Sequence, residues 1–363
     1  MKEKVAIISK GIWPQITGGA ELVTYKVTQE LQRRGYNVFL INKEWECKES
    51  RPEMSTIIDW AWAEESARKA MAVDPDVIYI SQYWWEGAAL FINDTYPVVL
   101  MIHDLGFLEV DLKSEMRHQM MDAWHKSINR AQKLIVAGKR NQDMLFETFP
   151  QAKEKTILIP LGVELPANVA PHAPSNKIVY VGRITRYKGI HCLIKAFQEV
   201  SRVFPEAELH IYGQISTGLG DYHQELLSLL RKIGIKKINY VPKWFSEEEK
   251  IRMIQEAGVV VYPSIGSEGF GIGPLEGLGI NGVVVASDVF EETGVINRDV
   301  AFVYPSHSIQ ELTQQLIKAM SLSPEDKALQ REKASRWVAN FTWGRHVDAL
   351  EEVFKSLWSR KDV

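Results

Sequence analysis

The sequence predicts an α/β protein made of two consecutive doubly wound parallel sheets. Three observations carry this reading. Short apolar runs alternate with amphipathic segments along most of the chain. A proline-rich stretch interrupts that alternation near the middle. The length of 363 residues suits two domains, or one large one, at roughly 150 residues per domain.

Taken in order, Val5–Ser9 is the first strand, rich in Val and Ile, and Ala20–Arg33 has helical periodicity. Val38–Ile41, Val77–Ile80, Val98–Ile102 and Leu134–Ala137 continue the strand series, with helical stretches such as Lys113–Ile128 between them. Continuous apolar strands joined by helices mean a parallel sheet covered on both faces. Val163–Asn176 then carries three prolines among small polar residues, which suits a stiff linker. Beyond it Ile178–Val181, Glu208–Tyr212, Val259–Tyr262 and Val283–Ala286 read as strands, and Gly189–Val200, Tyr222–Lys232 and Ser246–Gln255 as helices. The tail Ser323–Val363 is helical and longer than the second sheet needs, so its last helix is expected to cross back onto the first domain. The domains are expected at 1–165, joined by a C-terminal helix at about 345–363, and at 166–344.

Composition excludes several classes. Hydrophobic residues are 45% and charged residues 25% of the chain, a soluble globular mix rather than a disordered or collagenous one. Lys plus Arg is 43 against 46 for Asp plus Glu, a net charge of −3. Nucleic-acid binding, which needs a basic surplus to neutralise phosphates, is therefore not expected. Cys47 and Cys192 match no CxxC spacing and read as two reduced thiols. The N-terminal apolar run is too short for a signal peptide, and no stretch approaches the roughly 18 apolar residues of a spanning helix. A cytoplasmic protein is expected, with room for a peripheral contact at the inner face of the membrane.

Open α/β sheets bind ligands outside the carboxyl ends of their strands, so the loops just after the strands hold the candidates. After Val5–Ser9 comes Gly11-Ile-Trp-Pro-Gln-Ile-Thr-Gly18-Gly19-Ala-Glu21, where two glycines open a helix. They let an anion approach the free N–H groups and the positive dipole end; alone, the pair also fits an ordinary loop. GxGxxG and GxxxxGK[ST] are both absent, which argues against a nicotinamide enzyme and a P-loop. After Ile178–Val181 comes Gly182-Arg183-Ile-Thr-Arg186-Tyr-Lys188-Gly189, whose cations can neutralise a diphosphate in place of a divalent metal. An isolated basic loop would be merely solvated. After Val259–Tyr262 comes Pro263-Ser-Ile-Gly-Ser-Glu268-Gly-Phe-Gly271-Ile-Gly273-Pro274-Leu275-Glu276. Pro274 fits a first helical position, leaving the N–H groups from Leu275 on free for phosphate oxygens. Glu276 in the first turn suits the hydroxyl pair of a ribose, and Glu268 can face a second polyol. After Val98–Ile102, His103-Asp104-Leu-Gly106 puts a histidine at a strand end, as a cleft residue or as a structural one.

Together these residues resemble the family 4 glycosyltransferases of the GT-B fold. Pro14-Gln-Ile-Thr-Gly18-Gly19-Ala-Glu21 with Gly35-Tyr-Asn-Val38 is similar to that family's N-terminal signature, and Ile159-Pro-Leu-Gly162-Val-Glu164 to the segment leading into its second domain. Gly182-Arg183 with Lys188-Gly189 resembles its phosphate-binding loop. Pro263-Ser264 with Glu268 and Glu276, seven residues lying between them, resembles its paired-glutamate motif. The resemblance implies two Rossmann-like domains with an interdomain cleft, and a retaining hexosyltransferase that takes its sugar from a UDP- or GDP-sugar without a metal or other cofactor. It implies that Arg183 and Lys188 hold the diphosphate, Glu276 the ribose and Glu268 the donor sugar. Leu275 and the Gly271–Gly273 backbone would add N–H donors, Gly18 and Gly19 would contact the donor, and His103 would sit on the anomeric side of the sugar. The chain departs from the family at Gly138, where Ser is frequent, at Pro242, where Gly is common, and along Leu278–Val285.

Front-face attack through an oxocarbenium-like transition state follows from one carboxylate near the sugar rather than the two of a glycosidase. The acceptor is a hydroxyl of a glycan, a lipid-linked glycan or a small molecule. Trp84-Trp85 can shape an acceptor groove or pack in the core, and Lys113–Ile128, with Met116, Met120, Met121 and Trp124, can pack or touch a membrane. Asp74-Pro-Asp76 has the letters of a metal-binding DxD but precedes a strand, so it reads as a turn. Two alternatives remain at this level: a sugar-nucleotide epimerase of the same fold and a non-catalytic nucleotide-sugar-binding subunit.

Overall fold

The computed structural model describes residues 3–9, 11–12, 18–42, 59–81, 86–105, 114–166, 174–215, 220–266 and 268–358. Cys47, Trp84, Trp85 and Gly106 lie outside them. The chain divides into two compact units, Met1–Gly162 with Phe341–Val363 and Val163–Asn340.

In the first unit the elements are β1 (Lys4–Ser9), α1 (Gly19–Arg33), β2 (Asn37–Asn42), α2 (Trp60–Ala72), β3 (Val77–Ile80), β4 (Val98–Ile102), α3 (Ser114–Arg130), β5 (Lys133–Val136), α4 (Lys139–Thr148) and β6 (Thr156–Leu158). The strands form one parallel sheet in the order β2-β1-β3-β4-β5-β6. Every residue of β3 and β4 is buried, because helices cover both faces and leave no side of the strand for a polar residue. Asp76 anchors the start of β3: its Oδ2 accepts from Lys4 N–H at 2.8 Å. Asp74-Pro-Asp76 is thus the turn into that strand. α3 packs rather than lying free. Met120, Trp124 and Ile128 are in the core, and Trp124 stacks on Phe149 at 6.3 Å.

The second unit repeats the plan with β7 (Lys177–Val181), α5 (Ile190–Val203), β8 (Glu208–Tyr212), α6 (Gly220–Ile233), β9 (Ile238–Val241), α7 (Glu247–Gln255), β10 (Val259–Tyr262), α8 (Ile272–Ile280), β11 (Val284–Ser287), α9 (Val289–Thr293), β12 (Phe302–Tyr304), α10 (Ile309–Met320) and α11 (Pro324–Val338). Its sheet order is β12-β11-β10-β7-β8-β9, all parallel. Serines set several helix starts. Ser246 and Glu249 form a reciprocal capping box on α7, and Ser323 caps α11 ahead of Pro324. Cys192 is a buried free thiol on α5, its pKa raised by burial.

The helical tail is two helices. α11 stays with the second unit, where Arg331 donates to Asn281 O at 2.9 Å and Trp337 to Val295 O at 2.8 Å. After a break, α12 (Trp343–Trp358) belongs to the first unit. It buries His346, Val347, Leu350, Val353, Phe354 and Leu357 along one stripe, with Phe354 edge-on to Tyr79 at 5.9 Å. Arg34, just past α1, pins it: its guanidinium meets Glu30 at 2.9 Å, Asp348 at 2.7 Å, Glu351, and Gly344 O at 2.9 Å. Arg33 and then Arg34 hold the Glu30 carboxyl down to about 2, so this attraction is present above the usual carboxylate range and fades as the pH falls toward that value. Arg34→Met leaves Glu30 and Glu351 half-buried without their common cation. It should lower unfolding stability by about 1–2 kcal/mol, read as a fall in the urea midpoint. An unchanged midpoint would mean that α12 is held by its apolar stripe alone. Among the described residues no helix is long and apolar enough to cross a membrane.

Candidate active site

In the second sheet the strand order reverses between β7 and β10, so the loops after these two strands flank the crevice that such a switch opens. The two loops are stitched together by backbone. Tyr187 O accepts from Ile265 N–H at 2.7 Å and from Gly266 N–H at 3.2 Å. Gly189 makes the close approach possible. It has φ +67°, and a Cβ there would lie 1.9 Å from Pro263 O.

Across this seam the cations and carboxylates meet. Lys188 Nζ is 2.6 Å from Glu268 Oε1, and Ser264 Oγ donates to the same oxygen at 2.5 Å. Glu268 is only 8% exposed, and its Oε1 has two firm donors. Tyr187 gathers the cations of the first loop. Arg183 Nη2 donates to its hydroxyl at 2.6 Å, and Lys188 Nζ lies 5.2 Å from its ring centre. Arg186, which sequence spacing does not separate from these two, turns away to pair with Glu225 and to lie 5.0 Å over the Tyr222 ring.

The β10 loop runs into α8. Gly271 is its N-cap at φ +110°, where a Cβ would meet the Phe290 ring at 2.7 Å. The helix begins at Ile272, so Pro274 is its third residue rather than its first. The reason is local: Gly271 takes the left-handed turn that starts the helix one residue before Ile272, and a proline is tolerated anywhere in a first turn. The N–H groups of Ile272 and Gly273 consequently join Leu275 at the positive end of the helix. Glu276 lies in the next position, its side chain 13% exposed, and its Oε1 is 2.8 Å from Lys250 Nζ on α7. Burial raises the Glu276 pKa, and Lys250 offsets part of that rise.

The first unit has its own strand-end groups. Gly18 caps α1 in extended backbone without a side-chain bond, and a Cβ at Gly19 would meet nothing within 4 Å. Among the described residues no packing demands glycine at 19. His103 ends β4. Burial, with His346 close by, pushes its pKa down to about 4, and its Nε2 is enclosed without a hydrogen-bond partner among the described residues. At neutral pH it is an uncharged imidazole. Its main-chain carbonyl accepts from Asn141 Nδ2 at 2.9 Å.

The second unit therefore brings together Arg183, Lys188, Glu268, Gly271, Gly273, Leu275 and Glu276, while Gly18, Gly19 and His103 lie in the first unit. Ser264, part of the Pro263-Ser264 motif, also belongs to the second-unit site, as do Tyr187 and Lys250, which no sequence motif marked. Among the described residues no group of three or more His, Cys, Asp and Glu side chains could hold a metal ion.

Two switch-point sheets with this set of groups define a glycosyltransferase of the GT-B fold. A family model described as Glycosyltransferase Family 4 matches residues 17–166, and one described as Glycosyl transferases group 1 matches residues 164–337. The chain belongs to glycosyltransferase family 4. It is similar to O-antigen chain mannosyltransferase C of Escherichia coli, 22% identical over 400 aligned positions covering 99% of this chain and 100% of that protein. It is also similar to the D-inositol 3-phosphate glycosyltransferase of Corynebacterium aurimucosum, 24% identical over 80% of this chain and 74% of that one. Among solved structures, sucrose-phosphate synthase from Thermosynechococcus elongatus matches 99% of this chain and 100% of its own with a TM-score of 0.77 at 16% identity. Anabaena Alr3699/HepE in complex with UDP and glucose matches 98% of this chain and 100% of its own with a TM-score of 0.73 at 17% identity. These structural likenesses carry the fold.

Proposed function

We propose that the protein transfers a hexosyl unit from a nucleotide-diphosphate sugar, UDP- or GDP-linked, to a hydroxyl of a glycan, lipid-linked or small-molecule acceptor, with retention at the anomeric carbon and without a metal. The observation that carries this is the second-unit switch point, where Lys188 and Arg183, the α8 N-terminus, Glu268 and Glu276 line adjoining loops. Solved relatives with this fold carry UDP with glucose, or ADP with acarbose. Curated relatives are named mannosyltransferases.

In this reading the α8 N–H groups and the two cations take the diphosphate, Glu276 the ribose hydroxyls and Glu268 the hydroxyls of the donor sugar. Glu268 is a poor nucleophile as held, because Lys188 and Ser264 both bind its Oε1. This favours front-face substitution over a glycosyl-enzyme. The anomeric C–O bond to the diphosphate breaks, and the acceptor oxygen bonds to the same face. The acceptor proton passes to a phosphate oxygen of the leaving group. Lys188 and Arg183 stabilise the charge that grows on that group, the electrostatic work a divalent ion does elsewhere. His103, uncharged, serves as a hydrogen-bonding group for the sugar rather than as a cation.

A thermal-shift panel with UDP, GDP, ADP and TDP, each with EDTA, tests the reading. A ligand at about 100 times its Kd adds roughly 2.7 kcal/mol of stability. At least one nucleotide should raise the Tm of the wild type and fail to raise that of Glu276→Ala. Incubation of the matching nucleotide sugars with and without glycan acceptors then reads transfer. No shift with any nucleotide, and no product from any donor, would overturn the proposal.

A further inference from the structure

The two carboxylates of the second-unit site are held by the same device. Glu268 gives its Oε1 to Lys188, and Glu276 gives its Oε1 to Lys250 at 2.8 Å. In each case a lysine from another element fixes one oxygen, Oε1. Lys188 sits in the phosphate-binding loop and has a role of its own there. Lys250 lies on α7, in the run Ser246-Glu-Glu-Glu-Lys250, which reads as a solvated charge cluster. The fold makes it something else. α7 packs against α8, and only 20% of the Lys250 side chain is exposed. Its ammonium bridges Glu276 and Glu247, the latter at 2.6 Å. Burial works against the Lys250 charge, but Glu276 and Glu247 outweigh it and hold the ammonium above its usual range. The charged and titratable groups around Glu276 are Lys250 and Glu247 from α7 and Tyr262 from β10.

We propose that Lys250 is a positioning residue for nucleotide recognition: through its bond to Oε1 it keeps Glu276 ionised and in one orientation, so that Oε2 is aimed at the ribose hydroxyls of the donor. This rests on the reading of Glu276 as the ribose ligand. A carboxyl group buried at the fifth residue of α8, just past the first turn in which the sequence places it, would without a cation spend more of its time protonated, and a protonated carboxyl is the weaker acceptor. Its side chain would also be free to rotate. Glu247 keeps the bridge from being a simple pair. It holds the ammonium at the end of α7, between the two helices, rather than letting it follow the ligand.

The test is calorimetric titration of the full chain with UDP, GDP and ADP and with their 2′-deoxy counterparts, between about pH 6 and pH 8.5. Five proteins are needed: wild type, Lys250→Met, Lys250→Arg, Glu276→Gln and the double variant of Lys250→Met with Glu276→Gln. Affinities are read as ratios to wild type at each pH, which cancels the titration of the nucleotide's own phosphate. The sign follows from the chemistry: binding weakens as the pH falls through the Glu276 pKa, and removing Lys250 moves that fall to higher pH. Lys250→Met should lose the most affinity for the preferred ribonucleotide, about tenfold, at the lowest pH and less as the pH rises. Its preference for ribose over 2′-deoxyribose should shrink, Lys250→Arg should behave as wild type, and Lys250→Met should add nothing on a Glu276→Gln background. A Lys250→Met protein that binds as wild type while Glu276→Gln binds weakly would overturn the proposal and leave the ribose reading standing. So would a loss that is independent of pH or that persists in the double variant. If Glu276→Gln itself binds as wild type and 2′-deoxynucleotides bind as well as ribonucleotides, the ribose reading fails and takes this proposal with it. Should Lys250→Met melt early, the comparison of Lys250→Arg with wild type, together with the Glu276→Gln pH profile, decides the same question.

Discussion

Lys188→Met is expected to lower kcat for sugar transfer by about a thousandfold while changing the donor KM by less than about tenfold. Lys188 has two tasks. Its ammonium holds Glu268 Oε1 at 2.6 Å in a pocket where that carboxylate is 8% exposed. In the proposed reaction it also faces the diphosphate as the anomeric bond breaks and negative charge collects on the leaving group. Charge that grows in the transition state is stabilised most by cations already in place, and one preorganised donor contributes about 10²–10³ in kcat. A methionine of similar length keeps the packing against Tyr187, so the loss reads out charge rather than shape. Glu268→Gln should cost a similar factor, because the amide cannot pair with Lys188. The double variant should cost far less than the product of the two, since both residues act through one contact. Initial rates with the donor found in the nucleotide panel decide the matter. Transfer by Lys188→Met within about threefold of wild type would remove the β7 loop from the chemistry.

The architecture was readable in the sequence wherever strands are buried on both faces. Val77–Ile80, Val98–Ile102 and Val259–Tyr262 stand out as apolar runs because a central parallel strand has no wet side. The strands that escaped notice lie at or near sheet edges. β6 and β12 have three residues each, and β9 alternates exposed Asn239 with half-buried neighbours. α2 was missed for a different reason: its core face is largely alanine and serine, whose small side chains make a faint stripe even though Ala63, Ser66, Ala67 and Ala70 are buried. The break before α12 turns on Phe341, whose burial in the first unit no local pattern announces.

At the site, Glu268 and Glu276 were legible because glycine-rich loops after strands are rare enough to attract notice. Lys188 was legible because it sits between a strand and a helix. What the chain could not disclose is which of several charges turn inward. Arg183 and Arg186 are equivalent in the text, yet Glu225, 39 residues on, draws one of them to α6. Lys250, 26 residues before Glu276, becomes part of the site only because α7 lies against α8. Partners at such separations are properties of packing, so a one-dimensional pattern finds the loops of an active site more readily than the side chains that brace them.

Gly189→Ala should be among the most damaging single-atom changes in the second unit, lowering unfolding stability by about 2–5 kcal/mol. Two costs add. Gly189 closes the short helical turn Arg186–Lys188 at φ +67°, a conformation that costs an alanine roughly 1–2 kcal/mol. The new Cβ would also lie 1.9 Å from Pro263 O and 3.0 Å from Pro263 C. Those are backbone atoms at the end of β10 and cannot rotate away as a side chain would, so the two loops must part, at a cost of about 1–3 kcal/mol. Parting them strains the bonds from Ile265 and Gly266 to Tyr187 O, and it draws Lys188 away from Glu268. Displacements of about 1 Å in a positioned catalytic group cost on the order of a hundredfold in rate, so the fraction of Gly189→Ala that remains folded should also transfer slowly. Gly234→Ala separates the two costs, because that glycine has the same φ of +67° and nothing within 4 Å of its Cβ position. It should lose only the conformational part, roughly 1–2 kcal/mol, and keep full activity. Gly19→Ala, with open space and no positive φ, should leave stability unchanged. Urea denaturation of the three variants measures the difference. Equal losses for Gly189→Ala and Gly234→Ala would mean that the loops after β7 and β10 tolerate separation and that their seam does not set the geometry of the site.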